Sequence, residues 1–418
     1  MAPRHRSGII AALDIGSSKV CCLIAEVEEG RAPRVVGYGQ HAAHGMKRGM
    51  VVDMDQTETA IREAVHQAED MAGVSVSSVV VNIGGVHLNS QMIDSLVVLN
   101  QHDITDEDLQ KVTEVACAKQ LEGDRQIIHA IPAKYLLDNQ TDIRDPRGMT
   151  GSRLEADVHI VSGTKTGIRN VVRCVERCHL EVEDIIVSGY ASAESCLVDD
   201  EKELGVCLVD IGGGTCDIAI YDEGKPVYFA CVPVGGWHIT SDIARGLSTP
   251  LNHAERIKTL YGCAMASLVD ANESIEVPHV GEDDDNATNR ISRGALAGII
   301  QPRCEEILEL VREKIEQTGL ESTFGRRVVL TGGASQLLGF RQLAEVVLDK
   351  SVRLARPIGL EGLTDISGGP NFATAAGLIL RAHRSGRNTA RRKSAEGKAF
   401  NSLWTTAKNW LKDSFQTS

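Results

Sequence analysis

The chain has 418 residues, a formal net charge of −13 and 42% hydrophobic residues. This length fits one or two bilobal units, and the negative charge argues against nucleic acid as a partner, because phosphate attraction needs a basic face. No stretch reaches the roughly 20 apolar residues of a membrane-spanning helix, and the N-terminus lacks the apolar core of a signal peptide. The eleven cysteines form no CxxC motif, which favours reduced core residues. We therefore expect an intracellular protein that does not span a membrane.

Strand and helix patterns follow one another in an order that repeats along the chain. Apolar periodicity predicts a β-β-β-α-β series at 9–13, 20–27, 35–39, 56–71 and 78–83. A small unit follows, with strands near 96–99, 126–130 and 154–161 and a helix at 105–118, and after it come a helix at 165–178, a strand at 182–187 and a helix at 192–197. The β-β-β-α order then restarts at 206–210, 217–222, 226–234 and 240–244, followed by helices at 253–261 and 299–317, a strand at 327–333 and helices at 340–348 and 372–382. We therefore predict two copies of one α/β subdomain, each with its own insertion.

Both copies begin with an Asp-Ile-Gly hairpin. The segments "LDIGSSKVCCLIAEVEEG" (13–30) and "LVDIGGGTCDIAIYDEG" (208–224) each read as an apolar strand, Asp, Ile, Gly, two small residues and a second strand. Gly and Ser let the backbone approach phosphate oxygens, and the turn N–H groups supply donors. One such hairpin indicates only a turn. Two at corresponding places predict a clamp around a ligand that carries phosphates and a divalent ion.

These motifs resemble those of the actin, sugar-kinase and chaperone-ATPase superfamily. Two crossing helices of that superfamily match "GYASAESCL" (189–197) and "NFATAAGLIL" (371–380), and "LTGGASQLLG" matches its adenosine motif. The nucleotide-binding residues that the resemblance implies are Asp14, Gly16, Ser17, Ser18 and Lys19 in the first phosphate loop, Asp210, Gly212, Gly213, Gly214 and Thr215 in the second, Gly332, Gly333 and Ala334 in the adenosine motif, Glu255 and Lys258 at the border of the adenosine, and in addition Gly235 and Gly236.

Within the superfamily, the position of the first insertion resembles that of the FtsA family of bacterial cell-division proteins. Only about fifteen residues separate the third strand from the first helix, and the insertion follows the strand at 78–83 instead. The resemblance implies an α/β, actin-like ATPase fold of two duplicated RNase H-like subdomains, each with an insertion, plus a C-terminal amphipathic helix. The implied division is subdomain 1A in 1–84, 162–204 and 371–383, subdomain 1C in 85–161, subdomain 2A in 205–245 and 325–370, subdomain 2B in 246–324, a flexible basic linker in 384–398 and a membrane-targeting helix in 399–418.

The resemblance also implies the cofactors ATP and Mg²⁺ and the roles of single residues. Asp14 and Asp210 would hold Mg²⁺ through water, as suits a hard ion that keeps most of its water. Lys19 would neutralise phosphate charge, while Glu255 and Lys258 would border the adenosine. For these last two, a solvated charge on a helix is the alternative.

One position departs from the superfamily pattern. Many of its ATPases place Glu or Gln at the start of the first crossing helix to orient the attacking water, and here Ser188 takes that place. A hydroxyl can hydrogen-bond water but is no effective base near neutral pH. We therefore expect tight ATP binding with slow or negligible turnover.

The C-terminal tail is basic although the rest of the chain is acidic. From Arg381 onward there are nine Lys and Arg and two acids, which leaves about −20 for the remainder. The segment 384–398 is rich in Ser, Gly and Arg and predicts a flexible linker. After it, an apolar face is formed, within an arc of roughly 140°, by Phe400, Leu403, Trp404, Ala407, Trp410, Leu411 and Phe415. Trp and Phe beside Lys suit an anionic membrane surface, with a partner groove or intramolecular packing as the alternatives.

Together these features predict a structural adaptor, not a metabolic enzyme. By resemblance, the chain would form actin-like filaments with itself and tie the division protein FtsZ to the cytoplasmic side of the bacterial inner membrane at the division site. The C-terminal peptide of FtsZ would dock on subdomain 2B near Arg293 and Arg303, for which ordinary surface arginines are the alternative, and other divisome proteins would engage subdomain 1C. A pilus-assembly adaptor and a small-molecule kinase are the competing functions.

Overall fold

A computed structural model describes residues 8–100, 102–120, 123–270, 272–278, 288–363 and 368–394. The predicted amphipathic helix at 399–418, and with it the seven residues of its apolar face, lies outside the described residues. So does the end of the predicted linker, 395–398.

The elements follow in the order that the sequence patterns predict. The first part contains β1 (Gly8–Ile15), β2 (Lys19–Val27), β3 (Arg34–Ala42), β4 (Met46–Lys47), β5 (Met50–Val51), α1 (Met54–Ala72) and β6 (Ser78–Ile83). An inserted domain follows with β7 (Asn89–Val98), α2 (Asp106–Gln120), β8 (Arg125–Leu137), β9 (Gln140–Ile143) and β10 (Arg153–Thr164). Next come α3 (Lys165–Arg177), β11 (Glu181–Val187), α4 (Ser188–Cys196), α5 (Asp199–Glu203), β12 (Val206–Ile211), β13 (Cys216–Asp222), β14 (Lys225–Val232), α6 (Gly236–Gly246) and α7 (Leu251–Tyr261). The chain continues with β15 (Ser274–Pro278), β16 (Thr288–Ser292), α8 (Arg293–Glu316), α9 (Glu321–Phe324), β17 (Arg327–Thr331), α10 (Phe340–Leu348), β18 (Ser351–Leu354) and α11 (Ala373–Ser394).

Two five-stranded sheets share one topology. The first lobe has the strand order β3-β2-β1-β6-β11, and the second lobe has the order β14-β13-β12-β17-β18. In each sheet the first three strands form an antiparallel meander, and the last two run parallel to the strand that begins it. The predicted duplication is therefore confirmed.

The apolar runs of β1 and β2 are continuous because both faces of the first sheet are covered. Ala12 and Leu23 belong to one core cluster, whereas Leu13, Cys22 and Ile24 belong to another on the opposite face. Successive residues of a strand point to opposite faces, so a sheet between two layers needs apolar residues at every position. This arrangement leaves function to the strand ends, where the hairpin turns lie.

The two predicted crossing helices, α4 and α11, do cross between the lobes. Gly377 brings their backbones into contact, since a Cβ atom there would lie 1.7 Å from the carbonyl oxygen of Ala191. Ser195 Oγ also donates to the carbonyl oxygen of Ala373 over 2.7 Å. The small residues of both segments thus join the two lobes at close range.

The inserted domain follows β6, as predicted, and touches both lobes. Its sheet has the order β7-β10-β8-β9. Phe229 N on β14 donates to Ser90 Oγ over 3.0 Å, and Ser90 Oγ lies 2.7 Å from His159 Nε2. His159 Nδ1 lies 2.9 Å from the carbonyl oxygen of Pro226, which only accepts, so this nitrogen carries the proton. Two strands of the inserted domain are thereby hydrogen-bonded to the edge strand of the second lobe.

The flexible linker predicted to begin at residue 384 is wrong over 384–394. Helix α11 continues through this segment to Ser394. The segment contains no proline and one glycine, Gly386, while its Arg and Ala residues favour helix. A helix that packing has already nucleated extends at little cost, so composition alone gave the wrong boundary.

Candidate functional site

The two Asp-Ile-Gly hairpins have the same backbone turn. Gly16 N donates to the carbonyl oxygen of Lys19 over 3.0 Å, and Gly212 N donates to that of Thr215 over 2.9 Å. Asp14 and Asp210 each stand near the end of the strand before the turn, and both are 8% exposed. The duplicated sequence motif therefore folds into a duplicated structural motif.

The two turns meet face to face. A Cβ atom at Gly213 would lie 1.5 Å from Ser18 Oγ, and one at Gly214 would lie 2.7 Å from Ser17 Cβ. Side chains of the first turn therefore occupy the space that glycine leaves in the second. A ligand that enters between the turns has to move them apart.

Asp14 is a buried carboxyl group with an unusual protonation equilibrium. Burial raises its pKa to about 7; the nearby charge of Lys19 lowers the pKa and that of Asp210 raises it. Asn82 Nδ2 donates to Asp14 Oδ1 over 2.8 Å. The group thus changes charge close to neutral pH, where a cation would favour the ionised form.

Asp210 is held by two hydroxyl groups from the crossing helices. Its Oδ2 accepts a short hydrogen bond from Ser192 Oγ and a longer one, 3.3 Å, from Thr374 Oγ1. Burial raises its pKa, while the two hydroxyl donors and Lys19 lower it. Both donors come from helices that the sequence motifs had placed at the junction of the lobes.

A third carboxyl group, Asp217, lies beside the second turn and was not predicted from the sequence. Burial and the charge of Asp210 raise its pKa to about 7. A Cβ atom at Gly84 would lie 3.6 Å from Asp217 Oδ1 and 2.8 Å from Ser188 Oγ, so Asp217 faces the start of α4. Sequence reasoning had read it only as the first polar residue of a strand.

Lys19 carries an ammonium group with no hydrogen-bond partner in the described part of the chain. Its Nζ atom is buried and lies 3.8 Å from the centre of the Phe372 ring. A buried ammonium group without a hydrogen-bonding partner is costly. The position therefore fits an anionic ligand that would supply the missing acceptors.

Ser188 begins α4, as the motif comparison predicted, and contacts a residue that the sequence did not reveal. Asn82 Nδ2 donates to Ser188 Oγ over 3.1 Å as well as to Asp14. Asn82 is the one polar residue after the first in the strand "SVVVNI" and is 5% exposed. A lone buried amide at the end of an apolar strand was the available signal.

Four residues of the predicted nucleotide-binding set, Gly236, Glu255, Lys258 and Ala334, lie together next to the second turn. Gly236 N donates to the carbonyl oxygen of Gly212 over 2.9 Å, and Lys258 Nζ donates to that of Gly236 over 3.2 Å. A Cβ atom at Gly236 would lie 3.0 Å from the Cβ of Ala334. Lys258 is also paired with Glu255 at 2.7 Å and is 13% exposed, so it is not a solvated helix charge.

The rest of the predicted nucleotide-binding set divides by location. Gly332, with φ 87°, lies against the second carboxylate, since a Cβ atom there would be 2.3 Å from Asp210 Oδ1. Gly235 packs on the second turn, since a Cβ atom there would lie 2.5 Å from the carbonyl oxygen of Gly212. Gly333 begins a short 3₁₀ helix, Gly333–Gln336, and a Cβ atom there would lie 3.5 Å from the Cβ of Asn371.

The two arginines predicted to meet an acidic peptide have intramolecular partners. Arg293 pairs with Glu273 at 2.7 Å and donates to the carbonyl oxygen of Tyr261. Arg303 pairs with Asp242 and Glu306. Both lie on α8, ten residues and therefore about 15 Å apart along the helix axis.

The facing turns mark the candidate site. A cavity of about 380 Å³ lies elsewhere, against the end of α4 and the segment after β18, and no residue of the two hairpins lines it. Side chains of the first turn occupy the space beside the glycines of the second. In the described residues no group of three His, Cys, Asp or Glu side chains is arranged to hold a metal ion directly.

The residues nevertheless fit a nucleotide with a hydrated cation. The buried ammonium of Lys19 matches a phosphate, the turn amides supply donors, and the two carboxylates match the water shell of Mg²⁺. The duplicated sheets, the paired hairpins and the crossing helices together define a protein of the actin-like ATPase class.

Comparisons with solved structures agree on this class. The chain is similar to a chain of the PilM–PilN type IV pilus biogenesis complex, with a TM-score of 0.64, 16% identity and coverage of 90% and 98% of the two chains. It is also similar to MreB5 of Spiroplasma citri bound to ADP, with a TM-score of 0.52, 14% identity and coverage of 91% and 98%. At these identities the likeness concerns the fold, and the predicted actin-like fold is confirmed.

Sequence comparisons identify the family. A family model described as cell division protein FtsA matches residues 207–377, and one described as the SHS2 domain inserted in FtsA matches residues 85–162. The cell division protein FtsA of Pseudomonas aeruginosa is 42% identical, over 91% of this chain and 90% of the relative, and that of Rhizobium meliloti is 38% identical, over 99% and 96%. The chain belongs to the FtsA family of cell-division proteins, and the predicted resemblance is confirmed.

Proposed function

We propose that the chain binds ATP with Mg²⁺ between its two hairpins. The observation that carries the proposal is Lys19, whose charge lowers the pKa of two buried carboxyl groups, Asp14 and Asp210, and whose buried ammonium group has no hydrogen-bond partner in the described residues. A triphosphate with Mg²⁺ satisfies both requirements, because phosphate oxygens accept from Lys19 and the cation neutralises Asp14 and Asp210.

The chain's own residues divide the work of binding. The turn amides and Lys19 hold the phosphates, and Asp14 and Asp210 orient the water shell of Mg²⁺. Gly332 and Gly333 allow the backbone to approach the nucleotide, with Gly235, Gly236, Ala334, Glu255 and Lys258 beside the adenosine. Bound Mg²⁺ supplies positive charge that offsets the phosphates.

Calorimetry tests this proposal directly. We expect the full chain to bind ATP in the presence of Mg²⁺, and binding to weaken when EDTA removes the cation. Absence of binding heat with ATP and with ADP, together with an unchanged midpoint of thermal unfolding, would refute the proposal.

We further propose that turnover is slow. Ser188 Oγ accepts a hydrogen bond from Asn82, so one of its lone pairs is occupied, and a hydroxyl is a poor base near neutral pH. Phosphate release from the purified chain should stay near the uncatalysed background. Hydrolysis at ordinary kinase rates that Ser188→Ala abolishes would contradict this.

The cell-division role that we propose is a tether between FtsZ filaments and the membrane. None of the helices in the described residues is long and apolar enough to cross a bilayer. The apolar face that the sequence predicts for 399–418, with Trp404 and Trp410, supports attachment to the cytoplasmic face of the inner membrane at the division site. One such helix binds weakly, and actin-like self-assembly would multiply its affinity through avidity.

Vesicle flotation tests the tether. The full chain should float with vesicles of phosphatidylglycerol, whereas the variant Trp404→Ala/Trp410→Ala should remain in the dense fraction. Trp237→Ala is the matched control, because Trp237 is half exposed and lies outside the tail. Equal flotation of all three proteins would contradict membrane attachment through this segment.

For FtsZ we propose docking on 246–324, and for other division proteins docking on 85–161. Arg293 and Arg303 would have to exchange Glu273 and Asp242 for acids of the FtsZ C-terminal peptide. Fluorescence anisotropy with a labelled peptide should show weaker binding for Arg303→Glu and little change for Arg290→Glu, whose side chain is 74% exposed. Equal affinity of the two variants for the peptide would mean that the peptide binds elsewhere on the protein.

The kinase and pilus-adaptor alternatives remain distinguishable by experiment. The pilus adaptor shares the fold, but the 42% identity to a cell-division relative favours the tether. A phosphoacceptor screen with sugars and acetate should detect no phosphorylated product.

A further inference from the structure

Asn82 occupies the point where the first hairpin, the strand β6 and the helix α4 meet. It is 5% exposed, and it belongs to none of the motifs that the sequence offers. Its carboxamide makes three hydrogen bonds: it accepts from Ile15 N over 2.7 Å and donates to Asp14 Oδ1 over 2.8 Å and to Ser188 Oγ over 3.1 Å.

The backbone fixes which way the amide points. Strand β6 pairs with β1 at Ala12 and Leu13, and beyond them the Ile15 N–H needs another acceptor. Asn82 Oδ1 provides it, in place of a strand carbonyl. Since an N–H donor faces the oxygen, the NH₂ group has to face Asp14 and Ser188, and an amide flip would pair donor with donor.

This orientation acts on Asp14 in a way that a charged donor could not. A neutral amide stabilises the ionised carboxylate without adding another charge between the phosphate loops. It also occupies Oδ1, and the structure gives Asp14 Oδ2 no partner among the described residues. Asp14 thus presents a single free oxygen in a fixed direction.

We infer that Asn82 is a positioning residue of the nucleotide site: it orients Asp14 toward the hydrated Mg²⁺ and fixes the Ser188 hydroxyl beside it. The inference rests on the proposed function and adds a residue that acts through Asp14. It requires that Asn82 affect the affinity for ATP only when the cation is present. A residue that merely supports the fold would matter equally with and without the cation.

A double-mutant cycle tests the inference by calorimetry. The measured quantity is the gain in ATP affinity that Mg²⁺ provides over EDTA, in the full-length protein. We expect Asn82→Ala and Asp14→Asn each to reduce this gain about tenfold, as loss of a hydrogen bond to a charged group predicts. Asn82→Ala added to Asp14→Asn should have no further effect, because the partner is already altered.

Controls separate positioning from folding. Ser95→Ala removes a buried polar group elsewhere, the Ser95 hydroxyl in the inserted domain, and should leave the gain unchanged. Should Asn82→Ala fail to fold, Asn82→Asp keeps the acceptor for Ile15 and loses the donor. Its midpoint of thermal unfolding should fall and then recover when Asp14→Asn is added. In that double variant the amide donor is at position 14 and the carboxylate acceptor is at position 82, so the hydrogen bond can form again.

The outcomes distinguish this inference from the proposed function. A wild-type chain that binds no ATP refutes the proposed function, and this inference with it. A wild-type chain that binds ATP, with Asn82→Ala lowering affinity equally in Mg²⁺ and EDTA, overturns only the inference. Additive effects of Asn82→Ala and Asp14→Asn on the gain would also overturn it.

Discussion

The two hairpins of the duplicated lobes have one backbone and different surroundings. In the first, the turn carries Ser17, Ser18 and Lys19; in the second, the equivalent positions carry Gly213, Gly214 and Thr215. The serines of the first turn fill the space that the glycines of the second leave open. The two turns are therefore complementary in shape, so the lobes can approach each other without a steric clash.

The two aspartates differ in the same way. One amide, Asn82, holds Asp14, whereas two hydroxyls, Ser192 and Thr374, hold Asp210. More donors to the ionised form offset more of the cost of burial. Burial raises the pKa of Asp14 to about 7, and it also raises the pKa of Asp210, where the two hydroxyl donors oppose the effect. Four predictions test this comparison.

The largest expected effect is a pH dependence of stability to which Asp14 of the first hairpin contributes more than Asp210 of the second, while Asp217 beside the second turn adds a share similar to that of Asp14. The pKa of Asp14 is about 7 in the folded protein and 3.8 ordinarily, so the folded state holds the proton more tightly. The resulting stabilisation is complete below about pH 4 and is lost as the pH rises through about 7, a change of about 4 kcal/mol in the free energy of unfolding of the ligand-free protein. Urea unfolding at about pH 4 and about pH 8 measures it. Asp14→Asn should flatten this dependence more than Asp210→Asn does, and equal flattening would break the comparison.

The next effect concerns the cation that only the first turn carries. Lys19→Ala should lower ATP affinity about 100-fold, because it removes the buried ammonium that would pair with the phosphates of the proposed nucleotide. Thr215→Ala, at the equivalent position of the second turn, should change affinity by no more than about threefold. Calorimetry in Mg²⁺ compares the two variants. A similar loss in both would mean that the turns contribute alike.

The complementary packing of the turns can be disrupted and then restored. Gly213→Ala places a methyl group 1.5 Å from Ser18 Oγ and 2.7 Å from Ser18 Cβ, which should destabilise the protein by about 1–3 kcal/mol. Adding Ser18→Gly should restore most of the lost stability, because the methyl group at position 213 then occupies the space that the Ser18 side chain has left. Thermal unfolding of the single and double variants measures the recovery. No recovery would show that the turns do not share this space.

The smallest effect tests the redundancy of donors at the second aspartate. Thr374→Val should cost only about 0.5–1 kcal/mol, because Ser192 continues to donate to Asp210. The double variant Ser192→Ala/Thr374→Val should lose more than the two single losses combined. Denaturant unfolding at neutral pH gives all three values. Strict additivity would indicate that the hydroxyls act independently.

Sequence alone located the hairpins because their motif occurs twice at corresponding places. Asp14 and Asp210 could be predicted from that repetition, and the structure places both beside Lys19. Asn82 could not be predicted, since one polar residue in an apolar strand has no pattern around it. Asp217 was missed for a related reason, because polar residues at strand ends are common.

Ion pairs between residues far apart in the sequence were the second limit on prediction from the sequence. The partners of Arg293 and Arg303, Glu273 and Asp242, are 20 and 61 residues away, and no local periodicity reports such pairs. The end of α11 was missed because composition describes an isolated segment, while packing of its first turns on α4 decides whether the helix continues.

The inserted domain is anchored in the first lobe but is also hydrogen-bonded to the rim of the second, through Ser90 and His159. The lobes consequently cannot swing about the crossing helices as about a free hinge. When the lobes move apart, either these hydrogen bonds break or the inserted domain moves together with the second lobe. Force applied to the inserted domain would therefore also act on the two hairpins, some distance away.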